Sequence, residues 1–219
     1  MRDADPHPIP PIDPIPALPP ERIREEARAW VASLINPENT WIFGTGSLLW
    51  NPGFRFVERR KARVDGWRRA LCLYSLTFRG TPERPGLVMG LAPGGCCEGS
   101  AFRLDPDHID DAALALWERE MSHDSYLMVT LEAETDQGPV PCYSFTPRDG
   151  HPQCAHGLPP ETIADVVRRA SGLRGTNIEY VLNTVEHLDE MGIHDPDLHA
   201  LADRLRDKTD PKPTKDRSD

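Results

Sequence analysis

A chain of 219 residues with 38% hydrophobic content carries enough apolar material for one well-filled core. Its formal net charge of −10 argues against a nucleic-acid partner, because phosphate contacts are carried by clustered Lys and Arg; the basic run Arg59-Arg60-Lys61 reads as solvated surface. No apolar run approaches the roughly 18 residues of a membrane span and no basic, then apolar leader opens the chain, so the expectation is a cytoplasmic protein with no membrane partner.

Residues 1–20 hold eight prolines, including "IPPIDPIPALPP", a composition that favours extended backbone over helix or sheet; this segment is read as a disordered tail. The stretch "ERIREEARAWVASLI" repeats Ile23, Ala27, Trp30 and Leu34 at helical spacing, and Asn36-Pro37 ends it. From Trp41 to Thr146, the runs "RALCLYSL", "GLVMGLA", "EGSAFRL", "YLMVTLEAE" and "VPCYSF" alternate with Gly and Pro turns, which predicts short strands in a mixed sheet or small barrel. One helix, "DPDHIDDAALALWEREM", interrupts them behind an Asp cap. Beyond Pro159 the text is helical: "PPETIADVVRRAS", "TNIEYVLNTVEHLDEMG" and "DPDLHALADRLR". Residues 21–206 are therefore expected to form a single domain and residues 207–219 a second, charged disordered tail.

The five cysteines, Cys72, Cys96, Cys97, Cys142 and Cys154, contain no C-x-x-C and are expected to be reduced. His151, Cys154 and His156 fall close together in "HPQCAHG". A strong metal site recruits a second, distant ligand pair, so a connecting loop without metal is expected.

Two features point to chemistry. In "TWIFGTGSLLWNPG", Gly44, Thr45 and Gly46 turn the chain sharply. Glycine there permits positive φ and lets backbone N–H groups approach a ligand. The dinucleotide fingerprint G-x-G-x-x-G fails because Leu49 replaces the third glycine and Pro52-Gly53 follows at once. A covalent role for Ser47 lacks the G-x-S-x-G elbow, which leaves it a hydrogen-bonding role. In "LALWEREM", a spacing of about 100° per residue places Glu120 with Ala113, Leu116 and Trp117 on the apolar face and turns Glu118 away. A carboxylate in that position is either paired in a structural salt bridge or is a general acid/base with a raised pKa.

The segments "IFGTGSLLWNPGF", "RGTPERPGLVMGL", "CEGSAFR", "LWEREM" with Tyr126 following, and "YVLNTVEHLDEMGIHDPDL" together resemble the ChaC-like gamma-glutamylcyclotransferases, in the family's order, from about Trp41 to Leu205. The resemblance implies an α+β fold, a small, partly closed mixed β-barrel flanked by helices. It implies glutathione as a small-molecule substrate, 5-oxoproline and Cys-Gly as products, and no cofactor; it leaves the oligomeric state open. It assigns catalysis to Glu120 and substrate binding to Phe43, Gly44, Thr45, Gly46, Ser47, Leu48, Arg79, Tyr126 and Tyr143. Four positions depart from the family pattern: Thr45 and Phe102 in place of Tyr, Asp124 in place of Gly, and Cys154 in place of an aromatic. Thr45 keeps two alternatives open, a cyclotransferase for other γ-glutamyl amides and a catalytically silent γ-glutamyl-binding regulatory protein.

Overall fold

The computed structural model describes residues 9–207; the parts of the two expected tails at residues 1–8 and 208–219 lie outside them. Five helices and a closed five-stranded barrel are present among the described residues, a mixed α+β fold, and no helix is long and apolar enough to cross a membrane. The chain divides into two compact units, with two of the four divisions falling inside long strands.

The first unit comprises residues 15–72 and 89–154. It contains α1 (Pro20–Ser33), β1 (Trp41–Gly44), most of β2 (Phe56–Ser75) and of β3 (Gly86–Leu104), α2 (Ile109–Leu116), β4 (Tyr126–Thr135) and β5 (Val140–Pro147). The barrel closes in the order β1-β3-β2-β4-β5. Strand β1 runs antiparallel to β3 and parallel to β5, and β4 runs antiparallel to β2 and β5. Trp41, Phe43, Ala62, Val64, Leu91, Ala101, Leu131 and Val140 are among the residues of its apolar core. Helix α1 buries Ile23, Ala27 and Trp30, three of the four residues picked out by the helical spacing; the fourth, Leu34, is half-buried and lies just past the helix end in extended conformation. Trp30 packs at 5.3 Å on Trp117 and edge-on, also at 5.3 Å, against Tyr143.

Both long strands differ from the sequence reading. Strand β2 begins at Phe56, because Ala62 and Val64 point inward between exposed charged residues. Beyond Gly66, at φ 80°, the alternation ends: Arg69, Leu71, Cys72 and Leu73 are all buried. The turn signal Pro93-Gly94-Gly95 is absorbed inside β3, with both glycines at positive φ.

The second unit comprises residues up to 14, 73–88 and 155 onward. Helices α3 (Pro160–Arg169), α4 (Asn177–Glu190) and α5 (Pro196–Arg206) bury Val166, Val167, Val181, Val185, Leu188, Leu198 and Ala202, among others. A short hairpin of β6 (Ser171–Gly172) and β7 (Gly175–Thr176) precedes α4. Its last residue, Thr176, forms a capping box with Glu179. Asn177 is fully buried and exchanges two hydrogen bonds with the Leu87 backbone, donating to its carbonyl at 2.8 Å and accepting its N–H at 2.6 Å. Asn177→Ala strands both backbone groups, each costing about 1–3 kcal/mol when buried and unpaired. Urea unfolding is expected to give a loss of about 2–4 kcal/mol; a loss under 1 kcal/mol would mean that water replaces the amide.

Candidate active site

The glycine-rich loop leaves the end of β1. Phe43 is fully buried, and its carbonyl accepts the Ser144 hydroxyl at 2.9 Å, which ties the strand end to β5. Gly44 lies opposite Ser100 of β3. Ser47–Leu49 then make one turn of 3-10 helix, in which Ser47 and Leu48 supply leading N–H groups that have no acceptor within the turn itself.

The structure changes the reason for the glycines. Neither Gly44 nor Gly46 has positive φ, and Gly46 sits at φ −116°. Space is what excludes a side chain: a Cβ on Gly46 would lie 3.0 Å from Met89 Cβ, and one on Gly44 would lie 3.1 Å from both Leu48 Cβ and Phe102 Cε2. The left-handed glycine of this region is Gly53, at φ 75°.

Glu120 does not lie in regular α-helix. Helix α2 stops at Leu116, and Trp117–Met121 form a π-turn. Such wide turns recur at functional sites, and a turn with more residues separates neighbouring side chains by less than the ~100° of an α-helix. Glu118 is exposed, as the helical phase predicts. The Glu120 side chain is 14% exposed and its Oε1 accepts from Arg119 Nε at 3.0 Å, so the partner is its own neighbour and not an arginine of the sheet. The other guanidinium nitrogens reach the glycine loop: Nη2 donates to Ser47 Oγ at 2.6 Å and Nη1 to the Asn51 carbonyl at 2.5 Å. One guanidinium thus clasps the carboxylate to the loop.

Burial pushes the Glu120 pKa up, and the Arg119 charge and hydrogen bond pull partly against it, leaving it raised overall. A carboxyl held this way keeps its proton to a higher pH than an exposed glutamate does.

Thr45 is buried, with its hydroxyl 2.9 Å from Cys97 Sγ. Its carbonyl accepts from Arg69 Nε at 2.6 Å, and Arg69 Nη2 also donates to the Glu98 carbonyl at 2.5 Å. Tyr126 opens β4, packs edge-on against Phe145 and reaches the Met89 carbonyl at 3.5 Å. Met89 is thereby a common neighbour of Tyr126 and Gly46. Tyr143 lies in β5 opposite Ile42. Arg79 belongs to the second unit, where its Nη1 donates to the Thr176 carbonyl at 3.3 Å and its guanidinium stands over Tyr180. The first unit thus brings Glu120 and the 43–48 loop together through Arg119. The sequence reading gave no role to Arg119, Arg69 or Asn51; the adjacency of Arg119 to Glu120 in "WEREM" was the available signal.

A raised glutamate pKa has a consequence for stability. Between the ordinary value of about 4.3 and the raised one, the folded state holds more protons than the unfolded state, so stability falls as pH rises through that window. Glu120→Gln removes the cost of the buried charge. Its melting temperature is expected to exceed that of the unmodified protein at pH 7, with the gap closing below pH 4. A Glu120→Gln variant that is less stable at pH 7 would mean that the ion pair outweighs desolvation.

Known proteins resemble this chain in sequence and in fold. The profile of the family described as ChaC-like protein matches residues 40–208. Over 162 residues the chain is 35% identical to an Escherichia coli (strain K12) protein named glutathione-specific gamma-glutamylcyclotransferase, covering 74% of this chain and 70% of that protein. Over 175 residues it is 31% identical to gamma-glutamylcyclotransferase 2-3 of Arabidopsis thaliana, covering 76% of this chain and 88% of the relative. The crystal structure of a yeast gamma-glutamyl cyclotransferase specific to glutathione superposes with a TM-score of 0.68 at 20% identity, over 76% of this chain and 95% of that one, and shares the fold. With its profile match spanning most of its length, the chain belongs to the ChaC-like family.

Proposed function

We propose that this protein is a glutathione-specific γ-glutamylcyclotransferase in which Glu120 is the general acid/base. The observation that carries the reading is the largely buried Glu120 carboxyl, raised in pKa and clasped by Arg119 to the Ser47 loop. The name of the E. coli relative supports glutathione as the substrate, and that of the A. thaliana relative supports the cyclotransferase reaction.

In glutathione the nucleophile is already tethered to its target: the free α-amine reaches the γ-carbonyl carbon and closes a five-membered ring. Well-oriented tethered groups reach effective molarities of about 10⁵–10⁸ M, so the protein's tasks are to fold the substrate and to move protons. The α-amino pKa is roughly 8, so near neutral pH the amine is mostly protonated and needs a base before it attacks. Glu120 takes that proton. The amine forms the C–N bond of 5-oxoproline, and the γ-amide C–N bond breaks as the proton held by Glu120 passes to the departing nitrogen of Cys-Gly; the second proton, shed by the attacking nitrogen as it becomes the lactam N–H, goes by way of the same carboxylate to the Cys-Gly amine, which leaves as an ammonium. The leading N–H groups at Ser47 and Leu48 are suited to the developing oxyanion or to the α-carboxylate. No step calls for a cofactor.

A second reading, turnover of other γ-glutamyl amides, draws on Thr45, whose short hydroxyl faces Cys97 in a position where the family shows a tyrosine. Incubation with glutathione and, separately, with γ-glutamyl amino acids, followed by mass spectrometry, tests both. The expected outcome is 5-oxoproline and Cys-Gly from glutathione. Efficient turnover of the amino acid derivatives alone would favour the second reading, and binding without product would favour the silent regulatory protein. Glu120→Gln is expected to lose about 10²–10⁴-fold in kcat while folding normally, and Glu118→Gln to stay within about twofold; near-normal turnover by Glu120→Gln removes the mechanism. Gly46→Val drives a branched side chain toward Met89 and is expected to abolish glutathione binding by calorimetry; normal binding by a folded variant places the substrate elsewhere.

A further inference from the structure

We propose that Arg148 is a positioning residue for the Glu120 turn, acting by holding Asp124 in a left-handed conformation. Residues 122–125 join the π-turn that carries Glu120 to strand β4. Within them Asp124 has φ 53°, and it is the one non-glycine with positive φ among the described residues. An Asp tolerates that region better than most residues but does not prefer it, so something must hold it there.

Arg148 grips both halves of the residue. Its Nε donates to the Asp124 carbonyl at 3.0 Å and its Nη2 to Oδ1 at 2.6 Å, while its own N–H donates to the Ser125 carbonyl at 2.8 Å. The Asp124 N–H closes back on the Met121 carbonyl at 3.1 Å, one residue from Glu120. Arg148 directly follows Pro147, which pairs with Tyr126 at the end of the β4–β5 ladder, so the grip is anchored on the barrel wall. From the other side, the Leu18 N–H donates to the Ser122 carbonyl at 2.7 Å. Arg22 of α1 also feels the Asp124 charge, but its hydrogen bond goes to Glu26 at 2.8 Å.

Charge attraction alone does not explain the arrangement. The two side chains are 38% and 45% exposed, and pairs exposed to that degree contribute little in water. The planar fork is what matters, since it fixes backbone and side chain of one residue together. If the turn relaxes, Met121 and Glu120 shift relative to the Ser47 loop.

The activity arm of the test rests on the reading of Glu120 as acid/base; the exchange arm does not. The unmodified protein, Arg148→Ala, Asp124→Gly and the double variant are compared by glutathione turnover, melting temperature and hydrogen exchange of residues 119–125. Misplacement of a reacting group by 1 Å costs up to about 10²-fold, so Arg148→Ala is expected to lower kcat about tenfold with KM within about twofold. It is also expected to speed exchange at Asp124. Asp124→Gly adopts the left-handed turn unaided, and in the double variant kcat and exchange are expected to return to within about threefold of the unmodified protein. Arg148→Lys, without the fork, is expected to behave as Arg148→Ala. Should Arg148→Ala fold poorly, Asp124→Ala serves in its place and is expected to show the same loss. Unchanged kcat and exchange in Arg148→Ala, or a double variant as impaired as Arg148→Ala, overturns the proposal. An unmodified protein that never turns over glutathione overturns the proposed function, and the exchange comparison still decides the role of Arg148.

Discussion

The site depends on one contact, the Arg119 guanidinium against the Glu120 carboxylate. An ionised carboxylate taken out of water costs several kcal/mol unless it is paired, and a fully paired one is too weak a base to take a proton from an amine. Here burial raises the pKa and Arg119 restrains the rise. The same arginine spends its remaining donors on Ser47 and Asn51, so the carboxylate and the loop are fixed relative to one another by a single planar group. Lysine, a point charge on a flexible stem, offers no such fork.

A clasp of this kind needs rigid supports on both sides. The loop side is held by the barrel: Arg69 from β2 binds the Thr45 carbonyl, Ser144 from β5 binds the Phe43 carbonyl, and Gly46 lies close against Met89 of β3. A closed barrel has no free edge to fray, and these grips come from strands of that barrel. The helical side is held by aromatic packing, with Trp117 at the start of the π-turn against Trp30 of α1. Precision at a reacting centre is drawn from such supporting contacts more than from the reacting groups themselves.

Much of this was legible in the text of the chain. Helical phase singled out Glu120 over Glu118, and the exposure of Glu118 against the largely buried Glu120 agrees. The helical periodicity of α1 named Ile23, Ala27 and Trp30, which are buried, and Leu34, which falls half-buried just past the helix end. What was not legible arises where local signals compete. The π-turn has no distinctive composition, and a fixed step of 100° cannot register a widened turn. Arg69 was hidden because an arginine in a strand is expected at the surface, whereas this one is buried on the carbonyls of Thr45 and Glu98, both distant in sequence. Gly44 and Gly46 were read as conformational glycines, whereas closeness to Leu48, Phe102 and Met89 is what excludes a side chain. Such closeness is a property of the packed barrel and has no trace in the local sequence.

Glu120 is a buried carboxyl held above its ordinary pKa and restrained by Arg119. Difference infrared spectroscopy of the carboxyl stretch, taken between the unmodified protein and Glu120→Gln across a pH titration, reads that group directly. The account predicts a midpoint above the ordinary glutamate value of about 4.3, moving higher still in Arg119→Leu. A midpoint at or below the ordinary value, or one that falls when Arg119 is removed, would contradict it.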